Sequence, residues 1–416
     1  MWTILLQEFL GDLKAQRTRA MLTFFAVAWG TLSVALLLAF GEGLKRTLQD
    51  GLLGAGERIF MIFGGQTSKP FAGLPLGRRI HMVDEDLDLL RRSVPDLDRG
   101  SVSYGDWGVT YQVGRTKTTG YLEGADPDHE EMRHMFPADG GRFLNARDIL
   151  LKRRVVFLGN ELADRLFGAG MNPIGLTVTI DGLPFTVVGI LKKKFQDSSN
   201  NGPDAERAVI PSSTYKTIYG TRFVESLIVR PRDASLGPAV KQQIYDVLGR
   251  KYRFDPSDER ALGMWDFLEG AKENLAVGLG IQIFMGMVGA FTLLVAGVGV
   301  ANIMYVVVRE RTQEIGVKLA LGARKRHIMA QFIFEAMAIA VSGGLVGLSV
   351  AVLLVLGVSA IPQGDNPAMQ YLLNPRLPWT IALLCVGTLV LVGLVAGILP
   401  ARRAAQVDPV ESLRYE

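Results

Sequence analysis

The stretch Arg309 to His327 reads RERTQEIGVKLALGARKRH and lies between two long apolar segments. On one side Ala276 to Val308 is almost uninterruptedly apolar, and on the other Ile328 to Val358 is apolar again. Each exceeds the about 20 residues needed to cross a bilayer core, so the charged stretch is a short loop between two membrane spans. Arg309, Arg311, Lys318, Arg324, Lys325 and Arg326 outnumber Glu310 and Glu314, and a short loop with that excess of Lys and Arg stays on the cytoplasmic side. Carrying one such charge through the membrane centre costs about 2.5–3.5 kcal/mol on insertion scales, which orients the rest of the chain.

Within the loop, Glu314, Ile315 and Val317 to Leu321 alternate charge and bulk at helical spacing, while Gly316 and Gly322 permit a bend or a close backbone approach. The pattern predicts a short helix across the inner face, capped at its C-terminal end by Gly322. Composition by itself fits a basic surface loop holding anionic lipid heads as well as a contact for a cytoplasmic partner. Glu310, Arg311, Glu314-Ile315-Gly316, Lys318 and Ala320-Leu321-Gly322-Ala323 resemble the signature of the FtsX/MacB family of ABC-transporter permeases. The resemblance implies that these ten residues form the coupling element that meets an ATP-binding subunit.

With 416 residues, 21% of them charged, the chain has room for two or three domains, part membrane and part soluble. A net charge of +4 is too small to point to nucleic acid and is accounted for by cytoplasmic loops. The one cysteine, Cys385, sits in an apolar run, so neither a disulfide framework nor a cysteine metal site is expected.

In chain order, residues 1–19 place Trp2, Leu5, Leu6, Phe9, Leu10 and Leu13 on one helical face, which predicts an amphipathic helix in the inner interface. Residues 20–40 follow as the first span, a retained anchor whose apolar run is too long for a signal peptide. Residues 41–274 form a long, mixed, soluble-looking segment that translocates largely regardless of its charges. Glu42 to Arg58 and Arg260 to Asn274 are expected as helical stalks on either side of it.

Inside that segment strands and helices alternate. Asp84 is expected as the N-cap of a helix through Arg92. Val155 to Leu158 reads as a strand before a helix from Glu161 to Phe167, and Asp181-Gly182 as the turn of a hairpin between Leu176 to Ile180 and Phe185 to Leu191. Ser226 to Val229, Pro238 to Arg250 and Tyr252 to Phe254 read as strand, helix and strand. The second span then occupies residues 275–308, the coupling loop 309–327 and the third span 328–358. A turn-rich outer loop covers 359–378, the fourth span 379–399 and a cytoplasmic tail 400–416. Arg402 and Arg403 keep that tail inside, so both termini are expected to be cytoplasmic.

Gly141-Arg142-Phe143, Val155 to Gly159, Leu166-Phe167-Gly168, Pro173-Ile174-Gly175 and Phe185 to Ile190 are similar to the periplasmic core domain of MacB-like permeases. The tail, from Pro400-Ala401-Arg402-Arg403-Ala404-Ala405 to Asp408-Pro409-Val410-Glu411-Ser412-Leu413, resembles the family's C-terminal motif.

Catalytic chemistry finds little support. The chain has no Gly-x-x-x-x-Gly-Lys-Ser/Thr phosphate loop, so the ATP and Mg that the resemblance implies are expected on a separate ATPase, with no cofactor in this chain. His129-Glu130-Glu131-Met132-Arg133-His134 spaces its histidines at i and i+5, whereas a zinc-protease helix needs i and i+4. It is read as a solvated helix or loop, and no catalytic or metal-binding residue is assigned. Lys192 to Lys194 are read as a solvated charged face. Glu335, about two turns into the third span, is the clear ionisable residue within the spans and is expected to be structural, stabilised by the helix dipole. Gln282, Asn302 and Gln331 are expected to bond between helices. Gly286, Gly289 and Gly297 line the second span, and Gly343 with Gly347 and Gly393 with Gly397 are small-xxx-small pairs. These fit packing within one subunit or dimerisation.

The sequence therefore predicts a membrane α-helical protein of four transmembrane helices with a large α+β extracytoplasmic domain on helical stalks, and the resemblance implies a bacterial inner membrane. The resemblance implies an ABC-type permease that transmits ATP-driven motion from separate ATPase subunits. It further implies a second permease copy or paralogue and export with a periplasmic adaptor and an outer-membrane channel. Extraction of lipoproteins or lipids, as by Lol permeases, and FtsX-like activation of cell-wall hydrolases are the alternatives.

Overall fold

The computed structural model describes residues 17–56, 58–194, 196, 200–361 and 374–407. It divides into two compact units, Met1–Thr47 with Ala276–Glu416, and Leu48–Leu275. The amphipathic helix expected over residues 1–19, the middle of the outer loop and the tail from residue 408 onward lie outside the described residues, apart from the start of the first helix.

The chain enters through α1 (Arg17–Ala55) and then builds a nine-stranded sheet with helices. In order these are β1 (Phe60–Gly64), α2 (Glu85–Ser93), β2 (Leu97–Val113), β3 (Thr116–Ala125), α3 (His129–Met132) and α4 (Ala146–Leu150). There follow β4 (Val155–Leu158), α5 (Asn160–Phe167), β5 (Thr177–Ile180), β6 (Leu183–Ile190) and β7 (Ala208–Pro211). The unit closes with α6 (Ser212–Tyr219), β8 (Ser226–Pro231), α7 (Gly237–Tyr252) and β9 (Leu262–Asp266).

Strand β2 is 17 residues long and serves both parts of this one sheet. Its first half pairs antiparallel with β8, from Arg99 opposite Arg230 to Ser103 opposite Ser226, and β8 continues to β1 and β9. Its second half pairs with β3 on one edge and, through Tyr111 and Gln112, with β5 on the other. The circuit β2-β3-β7-β4-β6-β5 returns to β2, so six strands close on themselves and lose their free edges. A shift of register between Asp106 and Val109, at Gly108 with φ +79°, gives the bend this double duty requires. The main core joins Phe60, Ile62, Leu227 and Val229 of the open side to Leu87 and Leu90 of α2 and to Val240, Ile244 and Leu248 of α7, and it runs on into the closed circuit.

The Asp181-Gly182 turn is as expected, with φ +45° and +81° as a type I′ turn demands. Asp84 does precede α2, but its side chain makes no capping bond and instead meets Lys216 at 2.6 Å. Two expectations fail. Tyr252 to Phe254 is not a strand: α7 runs to Tyr252, Arg253 takes φ +52° and Phe254 turns into the core. The stretch from Arg260 is not helical throughout, because Leu262–Asp266 pairs with β1 and satisfies that strand's open edge. The helix starts only at Phe267, where the Asp266 carboxylate accepts from the amides of Leu268 and Glu269 at 2.9 and 3.0 Å.

The other unit adds α8 (Phe267–Glu310), α9 (Thr312–Ala320), α10 (Lys325–Ser359) and α11 (Trp379–Ala405). Four helices, α1, α8, α10 and α11, are long and apolar enough to cross a membrane, with mean hydropathies of 2.0, 2.2, 2.5 and 2.7 in their most apolar stretches. Helices suit such segments because every backbone polar group is satisfied within the element. Small residues set their contacts. A Cβ at Gly343 would come within 3.0 Å of the Phe24 carbonyl, and one at Gly347 would meet the Ala28 backbone. Those at Gly393 and Gly397 would come within 2.9 Å of Ala340 Cβ and Ala336 Cβ. Gly289 faces Val34 and Gly297 faces Val392, whereas Gly286 has open space beside it. Gln282 reaches Glu42 on α1 at 3.3 Å, while Gln331 bonds along its own helix to Glu335.

Candidate functional site

Helix α9 lies where the sequence predicts the coupling helix. Its C-terminal end is closed by a Schellman motif: the Ala323 amide donates to the Lys318 carbonyl and the Gly322 amide to the Leu319 carbonyl, both at 3.0 Å. Gly322 has φ +91°, a conformation that costs an L side chain roughly 1 kcal/mol or more.

One face of α9 is anchored and the other is open. Ile315 is buried in the same cluster as Val308 of α8, Ile328 of α10 and Ala401 and Ala404 of α11, and Gly316 beside it is buried too. Ahead of the helix, Arg311 Nη1 lies 3.3 Å from the Glu335 carboxylate of α10. Arg403 of α11 stacks over Tyr305 of α8 at 4.8 Å, tying the same helix ends together. The opposite face carries Glu314, Val317 and Ala320, and Leu321 beyond them is 83% exposed. Lys318 pairs with Glu314 at 2.8 Å along the helix, worth about 0.3–0.5 kcal/mol. Glu310 ends α8 in an exposed position, and Ala323 is half-buried. The ten residues are thus split: Arg311, Ile315 and Gly316 fasten the helix to the spans, while Glu314, Ala320, Leu321 and Gly322 face outward.

A second constellation was not legible in the sequence. Around β3, α3 and β7, Glu123, His129, Arg133, Asp204 and Arg207 are all at most 3% exposed. Arg207 meets Glu123 at 2.7 Å and Asp204 at 3.2 Å, while Arg133 and Lys194 meet Asp204 at 3.0 and 2.7 Å. Burial alone would raise the Asp204 carboxyl, but Arg133, Arg207 and Lys194 outweigh it and hold it well below the carboxylate range. Burial pushes Lys194 down to about 8 against the pull of Asp204, and pushes His129 down to about 4 against Glu123. The His129-to-His134 segment is therefore not the solvated stretch expected. His129 and Arg133, one turn apart, point into the charge network, while His134 stacks on Phe136. Nor is Lys194 solvated, although Lys192 and Lys193 are exposed. The network links positions up to 84 residues apart, a separation no local pattern records. Among the described residues no group of three or more His, Cys, Asp or Glu could hold a metal ion.

Two family models match. The MacB-like periplasmic core domain covers residues 20–247, more than half of the chain, and the FtsX-like permease C-terminal domain covers 286–409. The chain belongs to the MacB-like family of ABC-transporter permeases. The macrolide export ATP-binding/permease protein MacB of Wolinella succinogenes is 29% identical over 97% of this chain and 60% of its own length. The pyoverdine export ATP-binding/permease protein PvdT of Pseudomonas aeruginosa is 32% identical over 95% of this chain and 56% of its own. The permease thus spans about three fifths of the length of these curated relatives. The crystal structure of the periplasmic region of MacB from Actinobacillus actinomycetemcomitans covers 55% of this chain and 97% of that one, at 18% identity and a TM-score of 0.43.

Helix α9 falls inside the FtsX-like match, and the buried charge network inside the match to the periplasmic core domain. Most of the compact unit Leu48–Leu275 falls inside the match to the periplasmic core domain.

Proposed function

We propose that this permease couples ATP hydrolysis in a partner ABC ATPase to movement of its extracytoplasmic domain, and that the movement drives export through a periplasmic adaptor and an outer-membrane channel. The reading rests above all on α9, a helix fastened to three spans by Ile315 and by the Arg311 to Glu335 pair, with Val317 and Leu321 open on its other face. Exposed apolar side chains flanked by charge on a short, capped helix suit a groove on a soluble partner. Displacement of α9 would pass to α8, α10 and α11 because buried clusters resist deformation. Helix α8 has 44 residues where about 20 cross a membrane, so a motion along it would reach beyond the bilayer. The ATPase sits on the cytoplasmic side in this reading, with both termini, and two permease copies work together. The relatives' export of macrolides or pyoverdine supports an export role without naming this permease's cargo.

The test is copurification. The full chain, isolated from its host in mild detergent, is expected to bring down an ABC ATPase and an adaptor. The double variant Val317→Glu and Leu321→Glu is expected to lose the ATPase while keeping its thermal midpoint. Retention of the ATPase by that variant would overturn the docking role of α9.

A further inference from the structure

A cavity of about 420 Å³ opens at the end of the membrane helices where α1 leads on toward β1. One wall is the last part of α10, with Val352, Val355 and Leu356, and the mouth carries Arg46 of α1, Ser359 at the end of α10 and Arg376 ahead of α11. All of these residues belong to the unit that holds the four spans.

The short segment that carries Arg376 is built onto α1. The Arg376 amide donates to the Ala39 carbonyl at 3.0 Å, and the Asn374 side chain reaches Thr47 at 3.4 Å. A Cβ at Gly43 would collide with the Asn374 carbonyl, so glycine is what lets the segment lie so close. Pro375, which is buried, and Pro378 fix two backbone angles on either side of Arg376. The guanidinium is thus presented from a fixed backbone, yet among the described residues no carboxylate pairs with it. Arg46 gives its Nε to Glu42 at 2.8 Å and keeps its two terminal nitrogens. Glu42 also accepts from Gln282, and among the described residues that line the cavity none is acidic.

The depth of the cavity follows from α10 and α11. Trp379, the first residue of α11, is 73% exposed, and a Trp in that position marks the level of the lipid headgroups. Val352 lies seven residues before Ser359, about 10 Å nearer the bilayer centre along the helix. A cationic mouth at headgroup level therefore opens onto an apolar wall that runs into the hydrocarbon. A soluble anion would use the mouth and leave the wall empty, and a neutral lipid would do the reverse.

We propose that this cavity holds one anionic phospholipid from the leaflet on the side of the extracytoplasmic domain. Its phosphate is received by Arg376, Arg46 and the Ser359 hydroxyl, and an acyl chain lies along Val352, Val355 and Leu356. Guanidinium and phosphate match in charge and in fork geometry. Glu42 already offsets one of the two arginines, so the mouth keeps one positive charge, the complement of one phosphodiester. A zwitterionic headgroup would bring its ammonium to a lining that offers no carboxylate. The lipid is a resident of the fold, and the site stands whether or not α9 docks an ATPase.

The test is native mass spectrometry and thermal unfolding of the delipidated full chain in detergent. The chain is titrated with dioleoyl phosphatidylglycerol, dioleoyl phosphatidylcholine, dioleoylglycerol and inorganic phosphate. Phosphatidylglycerol is expected to bind first as a single copy per chain and to raise the thermal midpoint by several degrees, since a ligand of the folded state stabilises it. Phosphatidylcholine and dioleoylglycerol should bind about tenfold more weakly, the scale of one hydrogen bond to a charged group, and phosphate alone should leave the midpoint unchanged. Arg376→Gln removes a guanidinium that pairs with no described carboxylate, so the fold remains while affinity for phosphatidylglycerol falls about tenfold. Arg376→Lys should restore part of that affinity. Arg402→Gln, which removes an exposed charge at the opposite end of α11, should bind like the native chain. Equal binding of phosphatidylcholine, or unchanged affinity in Arg376→Gln, would overturn the proposal. A midpoint raised by phosphate alone would overturn it by giving the mouth to a soluble anion, and an equal loss in Arg402→Gln by reducing the effect to general attraction between cations and acidic lipid.

Discussion

Arg311 Nη1 stands 3.3 Å from Glu335 Oε1, with the two side chains 15% and 8% exposed, so the residue just ahead of α9 is held by a charge on the third span. The sequence reads Glu335 as a structural residue near a helix start. The contact shows what the structure is: a clamp between the short helix and α10, with Gln331 also donating to the carboxylate. Removing one partner of a buried pair strands the other, at a cost of about 3–5 kcal/mol. Glu335→Ala is accordingly expected to lower the thermal midpoint in detergent. Glu335→Gln, which keeps a hydrogen bond to Arg311, should fold and yet lose much of the coupling between ATP hydrolysis and transport. Parallel assays of the two activities in reconstituted vesicles measure that loss.

At the far end of the same helix, a Cβ at Gly322 would meet nothing within 4 Å, but the residue holds φ +91°. Gly322→Ala therefore acts through backbone strain alone, at roughly 1–2 kcal/mol. The Schellman closure should loosen while the spans stay folded. Hydrogen exchange at Leu319 to Ala323 is expected to rise several-fold, with an unchanged global midpoint.

In the extracytoplasmic domain, Asp204 meets Arg133, Lys194 and Arg207 within 3.2 Å. Asp204→Ala would leave three cations facing one another with Glu123 as the nearest remaining counter-charge. The loss is expected to be about 3–5 kcal/mol, visible as a lowered unfolding midpoint of the full chain. Asp204→Asn keeps the shape but not the charge and should be nearly as harmful.

The same cluster predicts an acid limb of stability. His129 has its value pushed down to about 4 by burial, from an ordinary 6.5. As pH falls through 6.5 the unfolded imidazole takes a proton while the folded one stays neutral to about 4. The unfolded state thus binds more protons in that window, and stability falls across it, by on the order of 3 kcal/mol. Glu123 and Asp204, held low in the fold, add their losses only below the carboxylate range. Thermal midpoints between pH 7 and pH 4.5 should therefore drop in the native chain. The slope should flatten in His129→Phe, which keeps the ring packed against Phe143.

Helix glycines separate packing from assembly. A Cβ at Gly347 would press on the Ala28 backbone, whereas Gly286 faces open space. Gly347→Leu should disrupt the α1 to α10 contact and unfold the bundle, since overpacking against backbone costs about 1–3 kcal/mol or more. Gly286→Leu should leave the monomer folded and weaken the proposed pairing of two copies, read as a fall in the dimer fraction by cross-linking in membranes.

The spans, the loop between the second and third, and the short helix within it were all legible because each rests on local chemistry. Runs of apolar residues declare a membrane helix by length, Lys and Arg mark a loop, and Gly322 marks a helix end. The Asp181-Gly182 turn was legible for the same reason. Strand β9 was not, since Leu262–Asp266 extends only because β1 offers an edge 200 residues earlier in the chain. The pairing of β2 with both β3 and β8, and the sinking of His129, Arg133 and Lys194 into one charge network, are likewise products of distant partners. Sequence by itself determined which segments must avoid water and where the chain must turn, because hydrophobicity and backbone preference act within a few residues. Only the tertiary structure decided which charges are buried and which partners they meet, because the energy of a polar group depends on neighbours that folding brings from elsewhere in the chain.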